Sequence, residues 1–275
     1  MNVAIVCAYR REEADLPATQ RSAMESAGAE SLFYGIEDAH RAGPARTRNF
    51  GIEQADDADV IILIDAHMRF DSDVLRRMAR KVYEDGGLIC PLCHHDAPLS
   101  MDGHLYAGAR IVWTCEENGQ RKPLDAKWSK DTRPGKRACV MGACYAFRRD
   151  WYMRAGRPLA MLPGWGGDEA ALSIAAWLTG WTPEVIDGHV AHLYRPTPPW
   201  AVTAVQIRAM AASQAALVSA FATPEDAAEL LAWSRLDKWS AADTPEVRTV
   251  RYAMERQARK WEDWKRAMCD PAETI

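Results

Sequence analysis

Val60-Ile61-Ile62-Leu63-Ile64-Asp65-Ala66-His67 decides the fold. Five consecutive aliphatic side chains need apolar cover on both faces of a sheet, the situation of a central parallel strand sandwiched between helices. Working outward, residues 2–8 form a second buried-strand run and residues 31–34 a third, short one. Helical spacing appears over residues 12–27, 45–55 and 71–84, and residues 87–92 read as a fourth strand. Strands alternating with helices of this length are βαβ units, so the sequence predicts an α/β domain on a mainly parallel sheet. After Pro91 the alternation breaks. Residues 103–114 and 138–147 read as strands, separated by a Gly/Pro/Lys-rich excursion at 116–136 that suits a hairpin or loop beside the sheet. Residues 168–179 form an amphipathic helix between glycines, and 185–194 are extended. From there the pattern is helical, over 200–221, 224–236 and 244–268. The expected organisation is a catalytic domain over residues 1–195, then a lid segment and helical extension over 196–275.

Composition sets the outer bounds. The 275 residues are 48% hydrophobic and 26% charged, which excludes disorder and provides for a sizeable core. A formal net charge of -4 supplies no global attraction to nucleic acid or membranes, so any basic surface must be local. No apolar run approaches the roughly 20 residues of a membrane helix, and the first one lacks a basic flank and the length of a signal sequence. A cytoplasmic protein is expected. Seven cysteines, an odd number scattered through apolar segments, suit reduced thiols. Cys90-Pro91-Leu92-Cys93-His94-His95 has the spacing of half a zinc site, but no second pair follows at finger-like distance, so buried thiols are expected there. Tryptophan, at 11, outnumbers Phe at 5 and Tyr at 8, which raises stacking surfaces as well as core.

Three segments carry chemistry. In an extended chain, residues two apart share a face, so Asp65 and His67 present a carboxylate and an imidazole together. They do so at the carboxyl end of a strand, where ligands gather in open α/β sheets. This is half of a divalent-metal site and suits manganese better than zinc. Alone, the triplet is better read as an Asp-capped turn beside a surface histidine. Gly164-Trp165-Gly166-Gly167-Asp168-Glu169 opens a helix with glycines that admit a ligand to the backbone, a flat indole, and two carboxylates at the positive end of the helix dipole. Asp168 also suits the plain duty of an N-cap. In His189-Val190-Ala191-His192-Leu193-Tyr194-Arg195, alternation puts one histidine on each face, and His192 is assigned to the cleft.

In this order the segments resemble the nucleotide-sugar glycosyltransferases of the GT-A fold, most closely the polypeptide N-acetylgalactosaminyltransferase-like branch. The match includes Asp65-Ala66-His67, the strand and aromatic-rich stretch over residues 140–151, Trp165-Gly166-Gly167-Asp168, and Ala191-His192-Leu193-Tyr194-Arg195. Gly43-Pro44-Ala45-Arg46-Thr47-Arg48-Asn49-Phe50-Gly51 is similar to a segment of the wider family 2 enzymes. The resemblance covers residues 2–210. It implies that Asp65, His67 and His192 bind Mn2+ or another divalent cation that holds the diphosphate of a UDP-sugar. It places Ala8, Tyr9 and Arg10 at the nucleobase, with Asp65 and Arg48 toward the diphosphate. Trp165, Gly166, Gly167, Asp168 and Glu169 fall at the sugar and acceptor. The N-acetylgalactosaminyltransferase-like branch retains anomeric configuration, whereas inverting family 2 enzymes use a helix-start carboxylate as base, and Asp168 and Glu169 suit either. Two segments depart from the pattern: Gly35-Ile36-Glu37-Asp38-Ala39-His40 replaces the usual acidic stretch, and Trp-Gly-Gly-Asp-Glu replaces Trp-Gly-Gly-Glu-Asn. With no anchor or lectin module in view, the resemblance implies a compact bacterial or viral enzyme.

The proline-stiffened run Tyr194-Arg195-Pro196-Thr197-Pro198-Pro199-Trp200 corresponds to a lid over the donor in the resembling enzymes, with Trp200 at its tip, although a rigid linker reads the same way. Residues 244–268 carry seven basic side chains against four acidic, with Trp261 and Trp264 interleaved. Basic residues with aromatics follow phosphate backbones, so Arg248, Arg251, Arg256, Arg259 and Lys260 form the candidate DNA contact. Small bacteriophage glycosyltransferases of this kind act on hydroxymethylated pyrimidines, which makes DNA modification one expected role. The alternative for the stretch is a solvated amphipathic helix with its tryptophans packed inward. Protein Ser/Thr or glycan acceptors, and a non-catalytic nucleotide-sugar or DNA-binding module, are the competing functions.

Overall fold

The computed structural model describes residues 1–96, 99–117, 120–193, 195, 203–237 and 243–269. The chain runs β1 (Val3–Tyr9), α1 (Leu16–Ala27), β2 (Ser31–Glu37), α2 (Pro44–Gln54), β3 (Val60–Ile64), β4 (Met68–Phe70), α3 (Val74–Asp85) and β5 (Leu88–Asp96). It continues through β6 (Leu105–Tyr106), β7 (Ala109–Glu117), β8 (Gln120–Trp128), β9 (Gly135–Lys136), β10 (Cys144–Arg148), α4 (Arg149–Arg154), α5 (Asp168–Leu178) and β11 (Glu184–Leu193). Four helices follow: α6 (Ala204–Phe221), α7 (Pro224–Ser234), α8 (Pro245–Glu255) and α9 (Trp261–Cys269).

The sheet order is β2-β1-β3-β10-β5-β11-β4, with β6 paired to β5 and β9 to β11. Strands β1, β2 and β3 pair in parallel, as do β5 and β11. β10 runs antiparallel to both β3 and β5, so β1, β2, β3, β5 and β11 all point the same way. All five residues of β3 are completely buried, as its composition requires. One hydrophobic core joins these strands to α1–α5 and continues into Ala216, Leu217, Val218, Val250 and Trp264 of the C-terminal helices.

Several boundaries move for identifiable reasons. The helix expected over 12–27 begins at Leu16, because Pro17 takes the first turn and Glu12 is drawn toward His67 and Arg195. The fourth strand runs to Asp96 rather than stopping at 92, so His94 and His95 belong to the sheet. Gly108, at φ 69°, divides the strand expected over 103–114 into β6 and β7. The excursion after it is a true hairpin, β7 paired with β8. The strand expected over 138–147 is regular only from Cys144 to Arg148, preceded by an isolated bridge between Cys139 and Ala109. The helix expected over 244–268 is two helices. α8 ends at Glu255, and Lys260 Nζ donates to the carbonyls of Glu255 and Gln257 in the turn before α9. The break lets Trp261 and Trp264 both pack inward: Trp264 is fully buried, and Trp261 donates Nε1–H to Asp226 Oδ2 at 2.7 Å.

Glycines set one close approach that the site depends on. A Cβ at Gly43 would lie 2.7 Å from the carbonyl of Gly164, and one at Gly164 would lie 2.4 Å from the backbone of Ala209 in α6. Three backbones therefore meet with no room for a methyl group, and Gly164 N–H donates to Ser213 Oγ at 2.8 Å to hold them. Gly164→Ala is expected to lower stability by about 1–3 kcal/mol, read as a lower denaturant midpoint at unchanged m-value.

Candidate active site

Because five strands share one direction, their carboxyl ends line one edge of the sheet, where α/β folds bind ligands. β10 is opposed, so the segment leading into it, Gly142 and Ala143, reaches the same edge, and Asp65 N–H donates to Ala143 O at 3.1 Å. The resulting cleft, about 490 Å³, is walled by Ala8, Tyr9 and Arg10 from the end of β1, by Asp65 and His67 after β3, and by His95 and His192. Trp165, Asp168 and Glu169 close it from the start of α5, and Gln206, Ala209 and Met210 from α6.

Asp65, His67 and His192 each place a donor atom within 4.8 Å of the other two. The Nε2 atoms of His67 and His192 are 3.0 Å apart, and Asp65 Oδ2 lies 3.2 Å from His192 Nε2. Two imidazole nitrogens and a carboxylate oxygen converging on one point fit a borderline divalent cation with positions left for substrate oxygens. The outer nitrogens reinforce the fit. His67 Nδ1 lies 2.7 Å from Glu12 Oε1, and His192 Nδ1 lies 2.7 Å from His95 Nδ1. Metal-ligating histidines are oriented by such outer partners. Burial and the neighbouring His192 push the His95 imidazole down to about 4, so it is neutral at physiological pH.

Arg48 joins this set to the helix start. Its side chain is 4% exposed; Nη2 pairs with Asp65 Oδ1 at 2.5 Å, and Nη1 pairs with Asp168 and donates to Tyr145 Oη at 3.0 Å. Tyr145 in turn donates to Asp168 Oδ2 at 3.2 Å. Burial opposes ionisation of Asp65, but the Arg48 guanidinium and the two histidines hold its carboxyl well below the usual carboxylate range. Burial likewise pushes the Tyr145 phenol well above its usual value, which keeps it a donor. The guanidinium that the resemblance assigns to the diphosphate side is thus committed to two protein carboxylates.

Asp168 is not the N-cap, which is Gly167 at φ 87°; it sits in the first turn of α5, buried on Arg48 and Tyr145. Glu169 rests on Gly142, where a Cβ would lie 2.5 Å from Oε1. Burial and the adjacent Asp168 carboxylate push Glu169 well above the usual carboxylate range. The unfolded chain releases this proton near 4.5, so between that value and the folded one the native state binds more protons and stability falls as pH rises. Glu169→Gln is expected to remove that decline, so urea unfolding should show the variant gaining on the wild type between about pH 5 and 8.

Of the remaining expected residues, Trp165 stands at the rim of the cleft, 51% exposed. Gly166 and Gly167 form the left-handed turn behind it, at φ 91° and 87°. Trp200 and Tyr194 lie outside the described residues, as does the rest of the expected lid except Arg195, which pairs with Glu12 at 2.8 Å and with Asp15. The sequence reading missed Glu12, Asp38, His95, Trp128 and Tyr145. Asp38 accepts from the backbone N–H of Ala42 and Gly43, closing the turn into α2. Trp128 lines the cleft against His95. Letting β5 run on by alternation would have found His95; Tyr145 carries no local signal. The Cys-x-x-Cys thiols are buried, and burial pushes Cys90 up to about 12, as for an inert core residue.

The basic C-terminal stretch is engaged internally. Arg251 donates to Ser219 O at 2.8 Å, Arg259 donates to Trp177 O and covers the Trp177 ring, and Arg248 pairs with Asp243. Arg256 bonds Tyr252 Oη at 2.7 Å, and Lys260 caps α8. Trp261 and Trp264 pack inward, as the amphipathic reading of this stretch expects, while the single helix expected over 244–268 is two.

The topology and the site together define a GT-A fold, a mixed α/β architecture with a mostly parallel sheet and a helical C-terminal part. Superposition supports this: the structure of GalNAc-T7 with UDP, GalNAc and Mn2+ matches 97% of this chain and 56% of its own at a TM-score of 0.74 and 16% identity. In sequence the chain is 25% identical over 175 residues to human polypeptide N-acetylgalactosaminyltransferase 16, covering 60% of this chain and 31% of the relative. It is 24% identical over 177 residues to the probable N-acetylgalactosaminyltransferase 9 of Caenorhabditis elegans, covering 59% and 29%. The chain spans about a third of the length of these curated relatives. No family model matches it. Among the described residues, no helix is long and apolar enough to cross a membrane.

Proposed function

We propose that this chain is a metal-dependent glycosyltransferase that moves a hexose or N-acetylhexosamine from a UDP-sugar to a hydroxyl acceptor. The observation that carries this reading is the convergence of Asp65, His67 and His192 at the carboxyl edge of a GT-A sheet, with the Glu12 carboxylate beside the outer nitrogen of His67 and His95 bonded to that of His192. Kinship with N-acetylgalactosaminyltransferases supports the donor class. When bound, a divalent cation would supply Lewis-acid neutralisation of the leaving diphosphate. Asp65, His67 and His192 would hold it, while Ala8, Tyr9 and Arg10 receive the nucleobase at the end of β1. Trp165 offers a flat apolar face at the rim for the sugar or acceptor.

The helix-start carboxylates favour retention of configuration. Asp168 is occupied by Arg48 and Tyr145, and burial beside the Asp168 carboxylate disfavours the charged form of Glu169, so neither is an unpaired base for back-side attack. Front-face attack, with the acceptor proton passing to the departing diphosphate oxygen, requires no such base. For the acceptor, the division of residues 244–268 into two helices and the burial of Trp261 and Trp264 favour a hydroxyl other than one in duplex DNA. The test is a UDP-sugar panel with product mass spectrometry against Ser/Thr peptides and hydroxymethylated DNA. Mn2+-dependent release of UDP and the mass gain of one sugar on an acceptor are expected. Binding of UDP-sugar without release from any donor would instead identify a non-catalytic module.

A further inference from the structure

His95 is a third imidazole at the cleft, and the reaction as described gives it no task. It faces His192 across the β5–β11 pairing, where the two residues are direct partners in register. Their ring planes differ by 11° and their centroids are 4.8 Å apart, yet their Nδ1 atoms are only 2.7 Å apart. Near-parallel rings with nitrogens that much closer than their centres meet edge to edge, which is the geometry of an N–H···N hydrogen bond and not of a face-to-face stack. The His95 ring is held by Trp128, 4.8 Å away at 65°, and Tyr106, 6.0 Å away at 84°. Its neighbour His94 points to the other face of the sheet and pairs with His189. His95 is thus a half-buried, aromatic-braced ring aimed at one nitrogen of its partner.

We propose that His95 is a positioning residue for the metal centre: its Nδ1 accepts the Nδ1–H of His192, fixing the tautomer that turns an Nε2 lone pair toward Asp65 and His67. The proposal rests on the metal reading of those three residues. The opposite direction, with His95 donating to His192 Nδ1, would leave a proton on His192 Nε2, aimed where the cation must sit. Direction of the hydrogen bond therefore decides whether the site is open to a metal. The two histidines of the set are supported differently, with the Glu12 carboxylate beside His67 Nδ1 and an imidazole bonded to His192 Nδ1. An imidazole nitrogen orients the ligand without bringing a second carboxylate beside Asp65.

The experiment is a Mn2+ titration of the full chain, with free Mn2+ followed by electron paramagnetic resonance. The wild type is expected to bind one ion, and His95→Phe, which keeps the aromatic packing but has no acceptor, to bind about 10- to 100-fold more weakly with its circular dichroism retained. His95→Gln, whose side-chain oxygen accepts, should recover most of the loss. A folded His95→Phe protein that binds as tightly as the wild type overturns the proposal, as does a His95→Gln protein no better than His95→Phe. A wild type that binds no Mn2+ overturns the metal reading itself, an outcome visible before any variant is made. Should His95→Phe fail to fold, the imidazole nitrogen spectrum of the zinc-loaded wild type gives the answer directly. A proton on His192 Nδ1 is expected, and one on Nε2 overturns the assignment.

Discussion

His67→Ala is expected to lower kcat/KM for sugar transfer about a thousandfold, a loss of roughly 4 kcal/mol of transition-state stabilisation. The size follows from what the residue does in the cleft. His67 provides one of three converging donors, and its removal leaves Asp65 and His192 as a two-point site. The ring lies in the cleft against His192, outside the hydrophobic core, so the loss of activity should far exceed any loss of stability in urea. Excess Mn2+ should restore part of the activity, because weakened affinity, unlike a broken fold, is corrected by mass action. Retention of full activity in His67→Ala at low Mn2+ would mean that the triplet after β3 does not hold the ion.

The second large effect belongs to Arg48. Arg48→Met is expected to destabilise the protein by about 3–5 kcal/mol, because it strands the buried Asp168 carboxylate and removes the nearest cation from Asp65. The dependence on pH has a definite sign. Asp65 is held well below its unfolded value of 3.8, so its contribution to stability is present above that value and is lost as pH falls through the lower folded one. Without Arg48 the largest part of that contribution is lost and only the two histidines remain to hold the carboxyl down, so the gap between wild type and variant should be widest near neutrality and narrow in acid. Unfolding in urea at about pH 7 and at about pH 2.5, below the unfolded value, reads this directly. The double variant Arg48→Met with Asp168→Asn should be more stable than Arg48→Met alone, since removing both ends of a buried pair costs less than removing one. Equal stability of all three proteins would show that the network carries no energy.

Much of this was readable in the chain because it is local. Five aliphatic residues in β3 demand a two-sided cover, and the Asp-x-His that follows them lands on the ligand edge by strand geometry alone. His192 followed from alternation within β11, which sends His189 to the other face, onto His94. What was not readable depends on convergence. Tyr145 sits in a strand of apolar composition, and only the antiparallel insertion of β10 between β3 and β5 brings its hydroxyl to Asp168. Glu12 looked like the first turn of a helix, and its role appears only when Arg195 and His67 arrive from 183 residues away in one case and from the end of β3 in the other. The basic stretch misled for a related reason. Its charge pattern suits a continuous helix, but the gain from burying two tryptophans favours a break at residues 256–260.

Asp65, His67 and His192 are proposed to hold a divalent cation that in turn holds a nucleoside diphosphate. Calorimetric titration of UDP into the full chain, with Mn2+ and then with a chelator, tests it most directly. UDP is expected to bind at least about tenfold more tightly in Mn2+, with that gain absent from His192→Ala. Equal binding of UDP in Mn2+ and in chelator by the wild type, or an undiminished Mn2+ effect in His192→Ala, would contradict the account.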